Sequence, residues 1–119
     1  VHVKTILIVE DMELNIDLLT QILEDEYTLI VAKDGAAGVA LAEEKRPDLV
    51  LMDIALPVMD GYEATRLIRA KFPALPILGI SSHAMTGDAE RAKAAGCNDY
   101  MTKPIDEDVL LQKIREFLA

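Results

Sequence analysis

Five short runs, mostly apolar and β-branched, alternate along this chain with five stretches of helical spacing. That alternation constrains the fold more than any other feature. The runs are TILIV (5–9), YTLIVA (27–32), LVLM (49–52), ILGIS (77–81) and DYMT (99–102). Each has the length of a strand. Between the first two, residues 12–25 carry Leu14, Leu18, Leu19, Ile22 and Leu23 at helical intervals. Asp34-Gly35 opens an Ala-rich helical stretch to about Lys45, and Arg46-Pro47 stops it. Residues 61–72 return to helical spacing, with Ala64, Leu67 and Ile68 expected to face inward, and Asp60-Gly61 reads as a structural turn before them. A short helix over 86–96 closes at Gly96, and Asp106 caps a last helix through Phe117. Single helices joining successive strands impose a parallel sheet covered on both faces. The prediction is a doubly wound α/β fold, (βα)5, and the 119 residues fit one domain over 1–119.

In such a sheet, ligands bind outside the carboxyl ends of the strands, where strand order reverses. The polar residues predicted there are Glu10 and Asp11 after the first strand, Asp53 after the third, Ser81 after the fourth and Lys103-Pro104 after the fifth. Three carboxylates drawn together repel one another and need a cation. An all-oxygen set suits Mg²⁺ better than zinc. By the same repulsion, replacing Glu10 and Asp11 is expected to raise stability when no metal is bound. Lys103 and Ser81 offer a positive charge and a hydroxyl, both apt for phosphoryl oxygens. No Gly-rich phosphate loop accompanies the first strand, so a nucleotide is not indicated. What remains is a small phosphoryl group delivered to Asp53, which acts as a nucleophile and forms an acyl phosphate.

The rest of the composition narrows the partners. A formal net charge of −9 argues against nucleic acid or an anionic membrane as a direct ligand. The longest apolar run is too short to span a bilayer, and the apolar start ends in acids rather than in a signal-peptide cleavage site. Cys97 is the single cysteine, which excludes an internal disulfide and fits a reducing, cytoplasmic setting. Beside Gly96 it reads as a small buried residue. The start at Val1 rather than Met suggests trimming from something longer.

With these motifs in place, the chain resembles the response regulator receiver domains of two-component signalling. The resemblance rests on LIVED with Glu10 and Asp11, PDLVLMDIALPVMDGYEA around Asp53, SSHAM from Ser81, and GCNDYMTKPI with Tyr100, Lys103 and Pro104. It implies a flavodoxin-like sheet of strand order 2-1-3-4-5 and a bacterial, cytoplasmic protein. It also implies that Asp53 is the phosphoacceptor. Glu10, Asp11, Asp53 and the backbone carbonyl of Ala55 would hold Mg²⁺, with Mn²⁺ able to substitute. Lys103 would pair with a phosphoryl oxygen, Ser81 and Tyr100 would act as switch residues, and Ala55 and His83 would modulate phosphoryl lifetime. A cis Lys103-Pro104 bond is implied too, with the bonds at Pro47, Pro57, Pro73 and Pro76 trans. The implied partners are a sensor histidine kinase or histidine phosphotransfer protein as donor, a downstream protein target, and a phosphorylation-linked dimer. The donor is expected near Leu14 and Asn15 and the loop after Lys103. Output is expected on the face made by the fourth helix, the fifth strand and the fifth helix. The chain is a stand-alone regulator or a receiver excised from a hybrid kinase or larger regulator.

Other readings explain less. Asp11 alone reads as a helix cap, Lys103 as a surface lysine, Ser81 as a loop cap and Tyr100 as edge packing. A lone His83 without a second His or Cys makes a poor metal site. A phosphohydrolase of the haloacid dehalogenase type has a second aspartate two residues past its nucleophile, where this chain has Ala55. Turnover of outside substrates is therefore not expected. A flavin protein would show an aromatic pair and a hydroxyl-rich loop, and neither is visible. A pure adaptor would not need five aligned polar residues.

Overall fold

A computed structural model describes residues 3–54, 56, 59–81 and 88–118, with the backbone alone at residue 88. The elements are β1 Thr5–Val9, α1 Glu13–Leu23, β2 Thr28–Ala32, α2 Gly35–Lys45, β3 Leu49–Asp53, α3 Gly61–Lys71, β4 Ile77–Ser81, α4 Asp88–Ala95, β5 Asp99–Thr102 and α5 Glu107–Leu118. The sheet has the order β2-β1-β3-β4-β5, and every pairing is parallel. This is the expected (βα)5 arrangement. Residues 86 and 87, the expected start of the fourth helix, lie outside the described residues.

Two cores flank the sheet, because side chains alternate across the pleat. Leu7, Val9, Val50, Met52 and Ile77 point one way and meet Ala42 of α2, Ala64 and Ile68 of α3, and Ala92 and Ala95 of α4. Ile6, Ile8, Leu49, Leu51, Leu78 and Ile80 point the other way and meet Leu19 and Leu23 of α1, and Leu110 and Ile114 of α5. With both faces covered, the inner strands have no solvent side, and hence read as continuous apolar runs.

The helix ends follow the expected chemistry. Asp34, Asp60 and Asp106 accept from the backbone N–H groups of Ala37, Glu63 and Val109 at 2.8, 2.9 and 3.1 Å. Gly96 ends α4 at φ +123°, a conformation L side chains rarely adopt. Lys103-Pro104 is cis, and no other described X-Pro bond is. The Leu56-Pro57 bond lies outside the described residues.

One inward assignment fails, since Leu67 is 39 % exposed; on α1, Leu14 and Leu18 are 78 and 41 % exposed. α1 turns Ile16, Leu19 and Leu23 inward, which leaves Leu14 and Leu18 on its outer side one turn apart. α3 has Tyr62, Ala64, Thr65 and Ile68 on its buried arc, and Leu67 falls just outside it. Thr65 takes a core place because its hydroxyl meets Cys97 Sγ at 3.9 Å. Among the described residues, no helix is long and apolar enough to cross a membrane.

One ion pair ties the edge strand to α5, with Lys113 Nζ donating to Asp99 Oδ2 at 2.6 Å. Burial pushes the Asp99 carboxyl up, but Lys113, the Tyr100 amide and nearby Lys93 outweigh it and hold the group below its ordinary range. A depressed carboxyl contributes stability above its ordinary pKa and loses that contribution as pH falls through the folded value. The Asp99→Asn variant should thus lose up to about 1 kcal/mol at neutral pH, because the pair is partly exposed. Its deficit should shrink below about pH 4. Urea midpoints of both proteins between pH 3 and 7 check this.

Candidate functional site

The register of the strands builds the site. Val9 pairs with Met52, so Glu10, one step on, lies beside Asp53, and Asp53 in turn pairs with Ile80. The ladder continues past both edges: Glu10 N–H donates to the Ala32 carbonyl at 2.9 Å, and Lys103 N–H to the Ser81 carbonyl at 2.7 Å. Counting along the pleat, Ile6, Ile8 and Glu10 share a side, as do Leu49, Leu51 and Asp53, and Met101 and Lys103. That side is the α1/α5 face. Parallel pairing and period 2 therefore gather two buried acids and a lysine at one corner.

The charges there neutralise one another. Lys103 Nζ lies 2.9 Å from Glu10 Oε1 and 3.4 Å from Asp53 Oδ2, and its side chain is only 15 % exposed. Burial pushes the Lys103 ammonium pKa down, but the two carboxyls outweigh that and raise it. The second Glu10 oxygen accepts from the backbone N–H groups of Asp11 and Met12 at 3.0 and 3.2 Å. Burial pushes the Glu10 carboxyl up. A hydrogen bond with the Asp53 carboxyl, Lys103 and the Met12 amide together hold it below its ordinary value.

Glu10, Asp11 and Asp53 each offer an oxygen, all within 4.8 Å of one another. Glu10 and Asp53 are buried and Asp11 is exposed, so the group opens to solvent on one side. Hard oxygen donors at this spacing, with an open side for water, fit a magnesium ion. Asp11 does not cap α1, because Met12 holds that position and makes no side-chain capping bond.

Ser81 and Tyr100 stand apart from this corner. Ser81 ends β4 beside Thr102, and Tyr100 pairs with Gly79. By pleat parity both side chains leave the sheet on the α3/α4 side, where Tyr100 packs half-buried against the core. Ala55 and His83 lie outside the described residues. Gly61 is a residue that motif reading missed as a site element. A Cβ there would stand 2.2 Å from the Asp53 carbonyl oxygen and 2.6 Å from Ile54 Cα. The first turn of α3 therefore sits directly on the backbone of Asp53. The only sequence trace was the Asp-Gly pair, which also marks ordinary turns.

Residues 6–115 match the family described as the response regulator receiver domain. The chain belongs to that family. It is 37 % identical over 119 residues to the polar-differentiation response regulator DivK of Brucella anthropi, covering 98 % of this chain and 97 % of the relative. Among solved structures, the receiver domain of the sensor histidine kinase PA1611 from Pseudomonas aeruginosa PAO1 is 37 % identical with a TM-score of 0.90, covering 98 % of each chain. That protein has a magnesium ion coordinated in its active site cleft. A CheY-like receiver domain from Methanospirillum hungatei JF-1 is 32 % identical with a TM-score of 0.91, over 97 % of this chain and 93 % of the other. The chain is thus a receiver of two-component systems, with an acidic cluster consistent with a Mg²⁺ site and a phosphoacceptor role.

The geometry divides the acid pair that sequence reasoning treated as one. Glu10 is held by an ammonium and two backbone N–H groups, whereas Asp11 stands exposed. Replacing Glu10 leaves both N–H groups without their acceptor and Lys103 with Asp53 alone, so Glu10→Ala should cost about 1–3 kcal/mol without metal. Asp11→Ala should be neutral or slightly stabilising, because it removes a like charge from the cluster. Urea denaturation in the presence of a chelator separates the two variants.

Proposed function

We propose that Asp53 takes a phosphoryl group from a phosphohistidine and that the resulting acyl phosphate changes which protein this chain binds. The observation that carries this reading is the packing of Asp53 against Glu10 and Lys103, with Asp11 at the open side. Ionised Asp53 attacks phosphorus with one carboxylate oxygen. A P–O bond forms as the P–N bond to the donor imidazole breaks, and that electron pair stays on nitrogen. Glu10, Asp11, Asp53 and the Ala55 carbonyl would hold Mg²⁺, with Mn²⁺ as a substitute. Bound there, the metal supplies positive charge for the phosphoryl oxygens. Lys103 already lies within reach of Asp53 and can turn its ammonium from Glu10 to a phosphoryl oxygen. Ser81 supplies a hydroxyl and Tyr100 an aromatic ring that report the modification, and Ala55 and His83 would modulate its lifetime. With Ala55 two residues beyond Asp53 there is no carboxyl at that position to act as a general acid, which fits a switch rather than an enzyme with outside substrates. We read residues 1–119 as one such domain, working in the bacterial cytoplasm.

Asp53→Asn is nearly isosteric and should fold. It should take up no phosphate from acetyl phosphate or a histidine kinase, whereas the parent should gain one phosphoryl group per chain by intact mass. Labelling of the variant to the parent level would overturn the assignment.

The donor surface has its own support. Leu14 is 78 % exposed and Leu18 41 %, one turn apart on α1, and Met12 beside the acid pair is 54 % exposed. An exposed apolar strip at the rim of the acidic cluster suits the side of a donor helix. Leu14→Asp should slow transfer from a phosphohistidine protein at least about tenfold, an ordinary loss for one buried apolar contact. Labelling by acetyl phosphate should not change. Output and the phosphorylation-linked dimer are assigned to the α4–β5–α5 face, where Tyr100 and Lys113 line a shallow cavity of about 320 Å³.

A further inference from the structure

The guanidinium of Arg69, near the end of α3, spends its donors on the ends of other elements. Nε and Nη2 donate to the Gly96 carbonyl at 3.0 and 2.7 Å. Nη2 also donates to Asn98 Oδ1 at 2.6 Å. Nη1 donates to the carbonyls of Phe72 and Pro73, at 3.0 Å each. None of these acceptors is a carboxylate. Three are backbone carbonyls that follow α3 and α4, where the negative ends of two helix dipoles meet, and the fourth is a side-chain amide oxygen. Asn98 extends the clasp, since the same Oδ1 accepts from Ile77 N–H at 2.9 Å, at the start of β4. One cation thus binds together the ends of α3 and α4 and the beginning of β4. All of this lies at the edge of the sheet opposite Asp53.

The rest of the described α4 is held by less. Ala92 and Ala95 are buried, but as alanines they contribute little contact area. Nearer the start of the helix, exposed Arg91 stacks over the Tyr62 ring at 4.3 Å, an interaction of about 0.5–1 kcal/mol at an exposed site. Among the described residues, three charge-assisted hydrogen bonds at the Gly96 end outweigh the cation–π contact and two small apolar contacts along the remainder. α4 is therefore anchored unevenly.

We infer that Arg69 is a fixed pivot for α4: the helix answers phosphorylation by swinging about its Gly96 end, with displacement greatest at residues 88–91 and least at 94–98. The inference rests on the switch reading above. It adds where the motion is pinned and by which residue. Lysine cannot replace this arginine, because a single ammonium cannot reach carbonyls on both sides of a planar fork.

Two measurements on the full chain test it. The first is amide hydrogen exchange without any phosphoryl analogue, for the parent and for Arg69→Lys and Arg69→Ala. The amides of Gly96, Cys97 and Asn98, which bond to the carbonyls of Ala92 and Ile77, should exchange about tenfold or more faster in both variants. Unchanged exchange there would show that Arg69 does not hold this end. The second compares amide shifts of the parent with and without beryllium fluoride and Mg²⁺. Shifts should decline from residue 88 to residue 98, and the decline should vanish in Arg69→Lys. Equal shifts at both ends of the parent helix would overturn the pivot, even if the variants fail to fold. If beryllium fluoride leaves Asp53 and Lys103 themselves unshifted, the switch reading is what has failed, and the exchange comparison still decides whether Arg69 pins the helix.

Discussion

A lysine ammonium lodged between two buried carboxyls is the contact on which the rest of this structure depends. Glu10 and Asp53 could not both be carried at the end of an apolar sheet without a positive partner, because burial of a bare carboxylate is costly. Lys103 supplies that partner from the far side of the sheet, two strands away from Asp53. The strand order is what allows it. β1 and β5 would be distant in a sheet wound in one direction from the first strand, but reversal at β1 puts Glu10 and Asp53 side by side with β4 and β5 following. The pleat then sends all three side chains to one face.

Much of this was legible in the chain. The apolar runs gave the strands nearly to the residue, because polar or charged residues or a proline flank each of them. Asp34, Asp60 and Asp106 were legible as helix openings for the same local reason. The family motifs carried the strand order and the identities at the strand ends. What local pattern could not supply was direction. Leu14, Leu18 and Leu67 keep helical spacing yet face outward, since spacing marks a stripe but not which arc the neighbours cover. Thr65 is inside because Cys97 is there to meet its hydroxyl, and nothing within ten residues of either announces the other.

The acidic cluster shows the same division. Its membership followed from motif and strand position, but its energetics did not. On paper Glu10 and Asp11 are equal members of a repulsive trio. In three dimensions Glu10 is neutralised by Lys103 and by the first amides past β1, and it anchors the loop that leads into α1. Asp11 faces solvent at the open side of the cluster. Similarly, Arg69 reads as one more charge in an amphipathic helix; its role depends on where α4 ends, which is fixed only by the assembled fold.

The close approach of Gly61 to Asp53 has a mechanical consequence. α3 begins against the backbone of Asp53 and ends near the guanidinium that clasps Gly96. Its 11 residues make a strut of about 16 Å. Asp53 and the Arg69 clasp therefore stand at opposite ends of a single helix, and that helix sets both their separation and their relative phase. Adding or removing one residue within it would rotate everything downstream by about 100°. The guanidinium would then swing away from the carbonyls it now serves. In this chain the length of a helix fixes the geometry between two distant sites, as much as any side chain on it.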